Sequence, residues 1–159
     1  MDKQKDIDSI LDRVMHLSNS FSAAPYSFSS FSLENGSEIS KSGILSGFTH
    51  IISISLWKDF SAADLRDYFI LSKEYLSISS ESDRENFLSA MLLDILPEQK
   101  FCHWKALQVS LALGLLLSVS ISKGYKTRCF SIEELQEELQ TALKGREIHN
   151  QEMMHVVLI

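Results

Sequence analysis

The sequence predicts a mainly α, single-domain fold: a helical bundle of about five to seven helices around a central apolar helix at residues 101–122. Three observations carry this expectation. Between Lys105 and Lys123 there is no charged residue, and Leu107, Val109, Leu111, Leu113, Leu115, Leu116, Leu117, Val119 and Ile121 fall on every side of a helical wheel. A helix that is apolar all round is either wrapped by other helices or inserted in a membrane. Several flanking segments repeat apolar residues at helical spacing. Among these, Ser61, Ser82 and Ser131 each stand three residues before an acid, the sequence mark of a capped helix start.

The chain has 159 residues and reads as one domain over 1–159, with no internal repeat. That length buries enough surface for a core without staples. Hydrophobic residues make up 45% and charged residues 23%, as in ordinary globular proteins. A net charge of −6 repels phosphate backbones and anionic lipid surfaces, so nucleic acid is not expected as a partner. Cys102 and Cys129 are too few for a disulfide scaffold and read as free thiols of a reducing, cytoplasmic compartment. The N-terminal MDKQKDIDSILDRV shows no apolar run of the kind a secretion signal needs.

In chain order, residues 3–18 form an amphipathic helix, because Ile7, Ile10, Leu11, Val14 and Leu17 share one face. Residues 19–43 are rich in Ser and carry Pro25, Gly36 and Gly43. Here two readings stand: a short β-hairpin near residues 26–40, turning at Asn35-Gly36, or an extended loop pinned by Phe21, Tyr26, Phe28 and Phe31. Over 44–58 a strand template competes with a helical one, and the helix accommodates more residues, placing Ile44, Leu45, Phe48, Ile51, Ile52 and Leu56 on one arc. Helices are expected from Ser61, with Leu65, Tyr68, Phe69, Tyr75 and Leu76 on one face, and from Ser82 to Pro97. Lys123-Gly124 should close the apolar helix, with Gly124 in the left-handed position. A helix from Ser131 carries the stripe Ile132, Leu135, Leu139 and Leu143, with Glu133, Glu134, Glu137 and Glu138 off it. The apolar tail Val156–Ile159 is expected to pack on the body as a strand or a helical turn.

The uncharged run from Ala106 to Ser122 sits at the short end of the about 17–25 residues a spanning helix needs, and Gln108, Gly114 and several Ser interrupt it. It therefore reads as a soluble core helix. Chemistry-bearing motifs are sparse. The chain has no phosphate-binding glycine loop, no Gly-x-Ser-x-Gly and no Cys-x-x-Cys. Cys102 and His103 are sequence neighbours, which a helix points about 100° apart. Glu152-Met-Met-His155 has the Glu-x-x-His spacing of di-iron bundles, but such a site needs a second copy and further carboxylates. No catalytic residue, cofactor or metal site is predicted.

The sequence thus points to a non-enzymatic protein-binding module: an inhibitor, an immunity-type protein or a chaperone-like accessory. Its partner would be another protein, for which a basic surface is the compatible charge class. The residues assigned to partner binding are Glu133, Glu134, Glu137 and Glu138, with Tyr26, Phe28, Phe31 and Trp104. Two alternatives stand beside it: a small-molecule-binding or enzymatic bundle with a pocket near Cys102, His103 and Trp104, and a membrane-active protein that exposes the apolar helix.

Overall fold

The apolar tail of the sequence is the middle of the fold. A computed structural model of the chain describes residues 3–18, 24–33, 45–93, 98–135, 137, 140, 143 and 151–159. In it Gln151–Leu158 forms a strand (β4) with neighbours on both edges. His50–Trp57 (β2) lies on one side and Arg128–Ser131 (β3) on the other, and Tyr26–Ser32 (β1) pairs with the far edge of β2. The result is a four-stranded sheet in the order β1-β2-β4-β3, with every pair antiparallel. The expected helical bundle is therefore corrected to an α+β fold.

The helix reading of 44–58 fails for a physical reason. Ile52, Ile54 and Leu56 alternate with Ser53 and Ser55, but Ile51, Ser53 and Ser55 are buried as well, so the alternation does not separate an inner from a solvent face. A short continuous apolar run cannot be told from a buried helix by periodicity. The β-branched Ile side chains decide it, since they lose rotamer freedom in a helix and pack well on a pleated surface. Ser53 and Ser55 fill the remaining inward positions as small buried residues. The hairpin reading is half met. Tyr26–Ser32 is a strand, but its partner is β2, in the register Tyr26↔Leu56 to Ser32↔His50. The Asn35-Gly36 turn lies outside the described residues.

Each face of the sheet carries its own core. On one, Ile52, Ile54, Val157 and Ile159 meet Ile7, Ile10 and Val14 of a helix Lys3–Ser18 (α1) and Val109, Ala112, Leu116 and Val119 of a helix Glu98–Ser122 (α5). On the other, Ile51, Met153, Val156 and Leu158 pack with Leu45, Phe48, Leu135 and Leu143. A β-bulge between Ile54 and Ser55 leaves Met154 unpaired in β4. The extra residue reverses the in-out parity, so Met154 joins the first core while Met153 faces the second.

The apolar helix is not wrapped. Its inward stripe is buried, but Leu107, Leu111 and Ile121 on its outer side are 52%, 50% and 59% exposed. By length and composition Lys100–Ser122 could cross a membrane. Gly124 ends α5 as expected, with φ +84° and a Schellman pair of bonds, Gly124 N–H to Ile121 O at 2.9 Å and Tyr125 N–H to Ser120 O at 3.1 Å. Lys123 and Tyr125 then tie this end of α5 to α1: Lys123 Nζ lies 2.6 Å from Asp6, and the Tyr125 hydroxyl donates to the other carboxylate oxygen. These two bonds hold the Asp6 carboxyl below its ordinary pKa, Lys123 having the larger effect.

A smaller layer lies between β2 and α5. The Ser61–Asp64 capping box starts a helix Ala62–Ile70 (α2) and buries Leu65 and Phe69. The helix stops at Leu71; a short helix Lys73–Ser77 (α3) follows, capped by Ser72. Leu76, expected on the inner face, points outward. A helix Glu81–Leu93 (α4) begins two residues earlier than the Ser82 box implies, because Ser80 Oγ accepts the Asp83 N–H at 3.4 Å. Its Leu88 and Leu92 complete a satellite cluster with Leu65, Phe69 and Phe101.

Candidate functional site

Side chains from four elements converge on one recess of about 490 Å³. The C-terminal half of α1 contributes Leu11, Asp12 and Met15; Met15 stands four residues from Leu11 and three from Asp12, so it neighbours both on the helix surface. The chain entering β1 contributes Ala24, Tyr26, Ser27 and Phe28; the end of β2 contributes Trp57, and α2 contributes Tyr68. Local bonding explains why these parts meet. The Trp57 N–H donates to Pro25 O at 2.8 Å, pinning the start of β1 to the end of β2. Pro25 is tolerated there because it stands just before the first residue of β1, where its missing N–H forfeits only the end rung of the ladder.

The walls are mostly aromatic. Tyr26 and Phe28 meet edge to face, with centroids 5.6 Å apart, and Tyr68 packs 5.8 Å from Phe60. Among the described residues, Asp12 is the one charged residue in the lining, and neither Lys, Arg nor His contributes to it. Beneath the lip, the Ser27 hydroxyl donates to Gln151 Oε1 at 2.9 Å. Gln151 is buried, and its Nε2 has no partner among the described residues. This pair fixes Ser27 and joins the recess to the central strand.

The residues singled out in the sequence are scattered. Tyr26 and Phe28 line the recess. Phe31 sits at opposite parity on β1 and packs against the second core. Trp104 belongs to a ring stack at the start of α5, with centroids 6.2 Å from Phe60 and 5.9 Å from Phe101. Cys102 and His103 are exposed on that same helix, and the recess holds none of these three. The expected helix from Ser131 opens as a 3-10 turn, Ile132–Glu134, and residues 137, 140 and 143 beyond it are helical. There Glu134 accepts the Ser131 N–H at 2.7 Å, which lowers its carboxyl pKa. Glu133 and Glu137 are exposed, and Glu138 lies outside the described residues.

Cys129 and His155 lie near Glu134 on β3 and β4. Burial, then Glu134, pushes the Cys129 thiol up, so it is not an activated nucleophile. His155 is lowered by burial and stays neutral. Among the described residues, no three His, Cys, Asp or Glu side chains gather as a metal site, so Glu152-x-x-His155 lacks the further ligands it needs.

Sequence reasoning missed Leu11, Asp12, Met15, Trp57 and Tyr68. Their proximity depends on the β1–β2 pairing, which the helix reading of 44–58 removed. The available signal was Pro25 ahead of the alternating Tyr26 and Phe28, and a Trp closing an Ile-rich run.

No protein-family model matches the sequence, and no curated protein sequence matches it. The fold has clear counterparts among solved structures. A nitroreductase family protein from Streptococcus pneumoniae TIGR4 superposes with a TM-score of 0.60 at 14% identity, over 97% of this chain and 78% of that one. The ydfN protein of Bacillus subtilis, assigned as a nitroreductase, gives 0.61 at 13% identity, over 97% and 76%. This likeness overturns the expectation of a non-enzymatic, helical inhibitor or immunity-type module: the chain is similar in fold to proteins described as reductases, across nearly its whole length.

Proposed function

We propose that this chain is a small-molecule-binding protein of the oxidoreductase class, with a nitroreductase-like fold, and that it takes a flat aromatic ring in the recess between α1, β1, Trp57 and Tyr68. The oxidoreductase class rests on the likeness of fold. The ring-binding site rests on one observation: Tyr26, Phe28, Trp57 and Tyr68 converge on a recess of about 490 Å³. That size falls within the about 300–1,000 Å³ of small-molecule pockets. Aromatic walls suit an aromatic guest, because offset and edge-to-face ring contacts add to the area buried. A cytoplasmic location fits this class and the two free thiols.

A flavin is a redox group that a fold of this kind brings to mind, and the lining tests it. The flavin ring is flat and apolar enough for the aromatic walls. The phosphate of a flavin mononucleotide needs cationic or N–H donors, and the lining offers the Asp12 carboxylate instead. Phosphorylated flavin therefore does not fit this recess, and no reaction step is routed through it.

The test is reduction of 4-nitrobenzyl alcohol by NADH with riboflavin supplied. The purified protein should raise the rate above the riboflavin background, and Trp57→Ala should lower the increment about tenfold, as expected if one stacked wall worth about 1.4 kcal/mol is lost. A rate equal to the background for both proteins would refute the oxidoreductase reading.

A further inference from the structure

The recess combines aromatic faces with a single carboxylate, and this pairing selects for charge. We infer that its ligand is a planar organic cation, in preference to a neutral or anionic ring of the same shape. The inference rests on the proposed ring-binding site and adds the substrate's charge class to it.

Three features of the lining support it. Phe28, Trp57 and Tyr68 bring partly exposed aromatic rings to the recess, and the negative lobe of a ring's quadrupole attracts a cation held over its face; Tyr26, 2% exposed, backs them from the core. Among the described residues, Asp12 supplies the only formal charge in the lining, and its sign is the same as that of the lobes. The remaining lining residues, Leu11, Met15, Ala24 and Ser27, bring no positive charge to oppose a cation or neutralise an anion.

Charges outside the lining do not reverse this. Arg13 adjoins Asp12 on α1, where helix geometry turns it about 100° away. The His16 ring is bonded to the Asp12 backbone carbonyl, with Nδ1 at 2.9 Å. Lys58 and Arg66 flank Trp57 and Tyr68 in sequence, but each adjoins an acid, Asp59 and Asp67 respectively. The chain as a whole carries −6, which favours the approach of a cation at long range.

The experiment is isothermal titration calorimetry at pH 7.5 and moderate salt with three bicyclic probes of matched shape. N-methylquinolinium is the cation, quinoline the neutral ring at this pH, and 2-naphthoate the anion. The inference predicts affinity in the order cation, neutral, anion, with the cation at least about tenfold tighter than the neutral ring, the ratio that one partly desolvated charge contact supplies. Asp12→Asn should bring the cation to within about twofold of the neutral ring while leaving quinoline unchanged, and Asp12→Glu should restore the preference. Asp12 is exposed on α1, so these variants leave the core intact; circular dichroism confirms their folding.

Binding of quinoline or 2-naphthoate as tight as that of the cation overturns the inference while leaving the ring-binding site standing. A cation preference undiminished by Asp12→Asn also overturns it, since the carboxylate would then contribute nothing to the selection. Failure of all three probes to bind overturns the ring-binding site and the charge preference with it.

Discussion

Truncation of α5 at two positions tests the corrected packing of the apolar helix. Leu116 is fully buried between the sheet and α1, whereas Leu111, five residues before it on the same helix, is 50% exposed. Leu116→Ala removes buried methyl groups and leaves a cavity that the flanking Ile52, Ile54 and Val157 fill only in part. Such truncations cost about 2–5 kcal/mol. For a chain of this size about 1 kcal/mol moves Tm by about 2–4 °C, so a central loss of about 3 kcal/mol lowers it by about 6–12 °C. Leu111→Ala gives up about half of the roughly 1.5–3 kcal/mol that full Leu burial supplies and leaves no cavity, while Ala is the slightly better helix former. Its cost should stay below about 1 kcal/mol. Urea unfolding followed by circular dichroism gives both values, with unchanged slopes required for the comparison. Equal losses above about 2 kcal/mol would refute the one-sided helix and restore the wrapped one.

Three further outcomes are expected. Gly124→Ala should cost about 1 kcal/mol by thermal unfolding, because φ +84° is strained for any residue with a Cβ even though nothing stands within 4 Å to clash; a neutral effect would contradict the left-handed cap. Ser27→Ala leaves both polar atoms of buried Gln151 unpaired and should cost about 1–3 kcal/mol, most of it recovered by adding Gln151→Met; a double variant no more stable than the single one would discount the pair. His50 and His155 both titrate below the ordinary His value. Burial is the main cause for each; Lys3 adds to it at His50, and Asp8 and Glu134 respectively oppose it. Below a pH of about 6.5 the unfolded chain takes up protons that the folded rings refuse. Stability should therefore be full above that value and fall as the pH drops through it. Urea midpoints at pH 7.5 and 5.5 measure the fall, which His50→Gln combined with His155→Gln should flatten.

The helical parts of the fold were legible in the sequence because helix signals are local. Lys3–Ser18 was read with its bounds, the Ser61–Asp64 box forms as expected, and Gly124 takes its left-handed cap. The sheet was not legible because its evidence is spread along the chain. β1 pairs with a strand that a helical wheel also accommodates, and the central strand is the C-terminal run, whose partner β2 lies about a hundred residues away. The alternation of Ile52, Ile54 and Leu56 with Ser53 and Ser55 was the strand signal, and the longer helical arc from Ile44 to Leu56 outweighed it. The candidate site inherited that error. Tyr26 and Phe28 were picked out for their apolar character, whereas Asp12, Trp57 and Tyr68 reach them only once β1 lies against β2. The acidic run misled in another way. A capping box predicts where a helix starts but not the geometry of its first turn, and at Ser131 the chain opens as a 3-10 turn ahead of the helical residues 137, 140 and 143.

The chain contains two tryptophans, one in the recess and one in the α5 ring stack, which gives a direct test of where a flat ring binds. Trp104→Phe leaves Trp57 as the sole indole, and Trp57→Phe leaves Trp104. Each variant is titrated with 4-nitrobenzyl alcohol while tryptophan fluorescence is followed. The account predicts saturable quenching of Trp57 and only linear, collisional quenching of Trp104. Linear quenching of both, or saturation at Trp104 alone, would contradict a binding site in the recess.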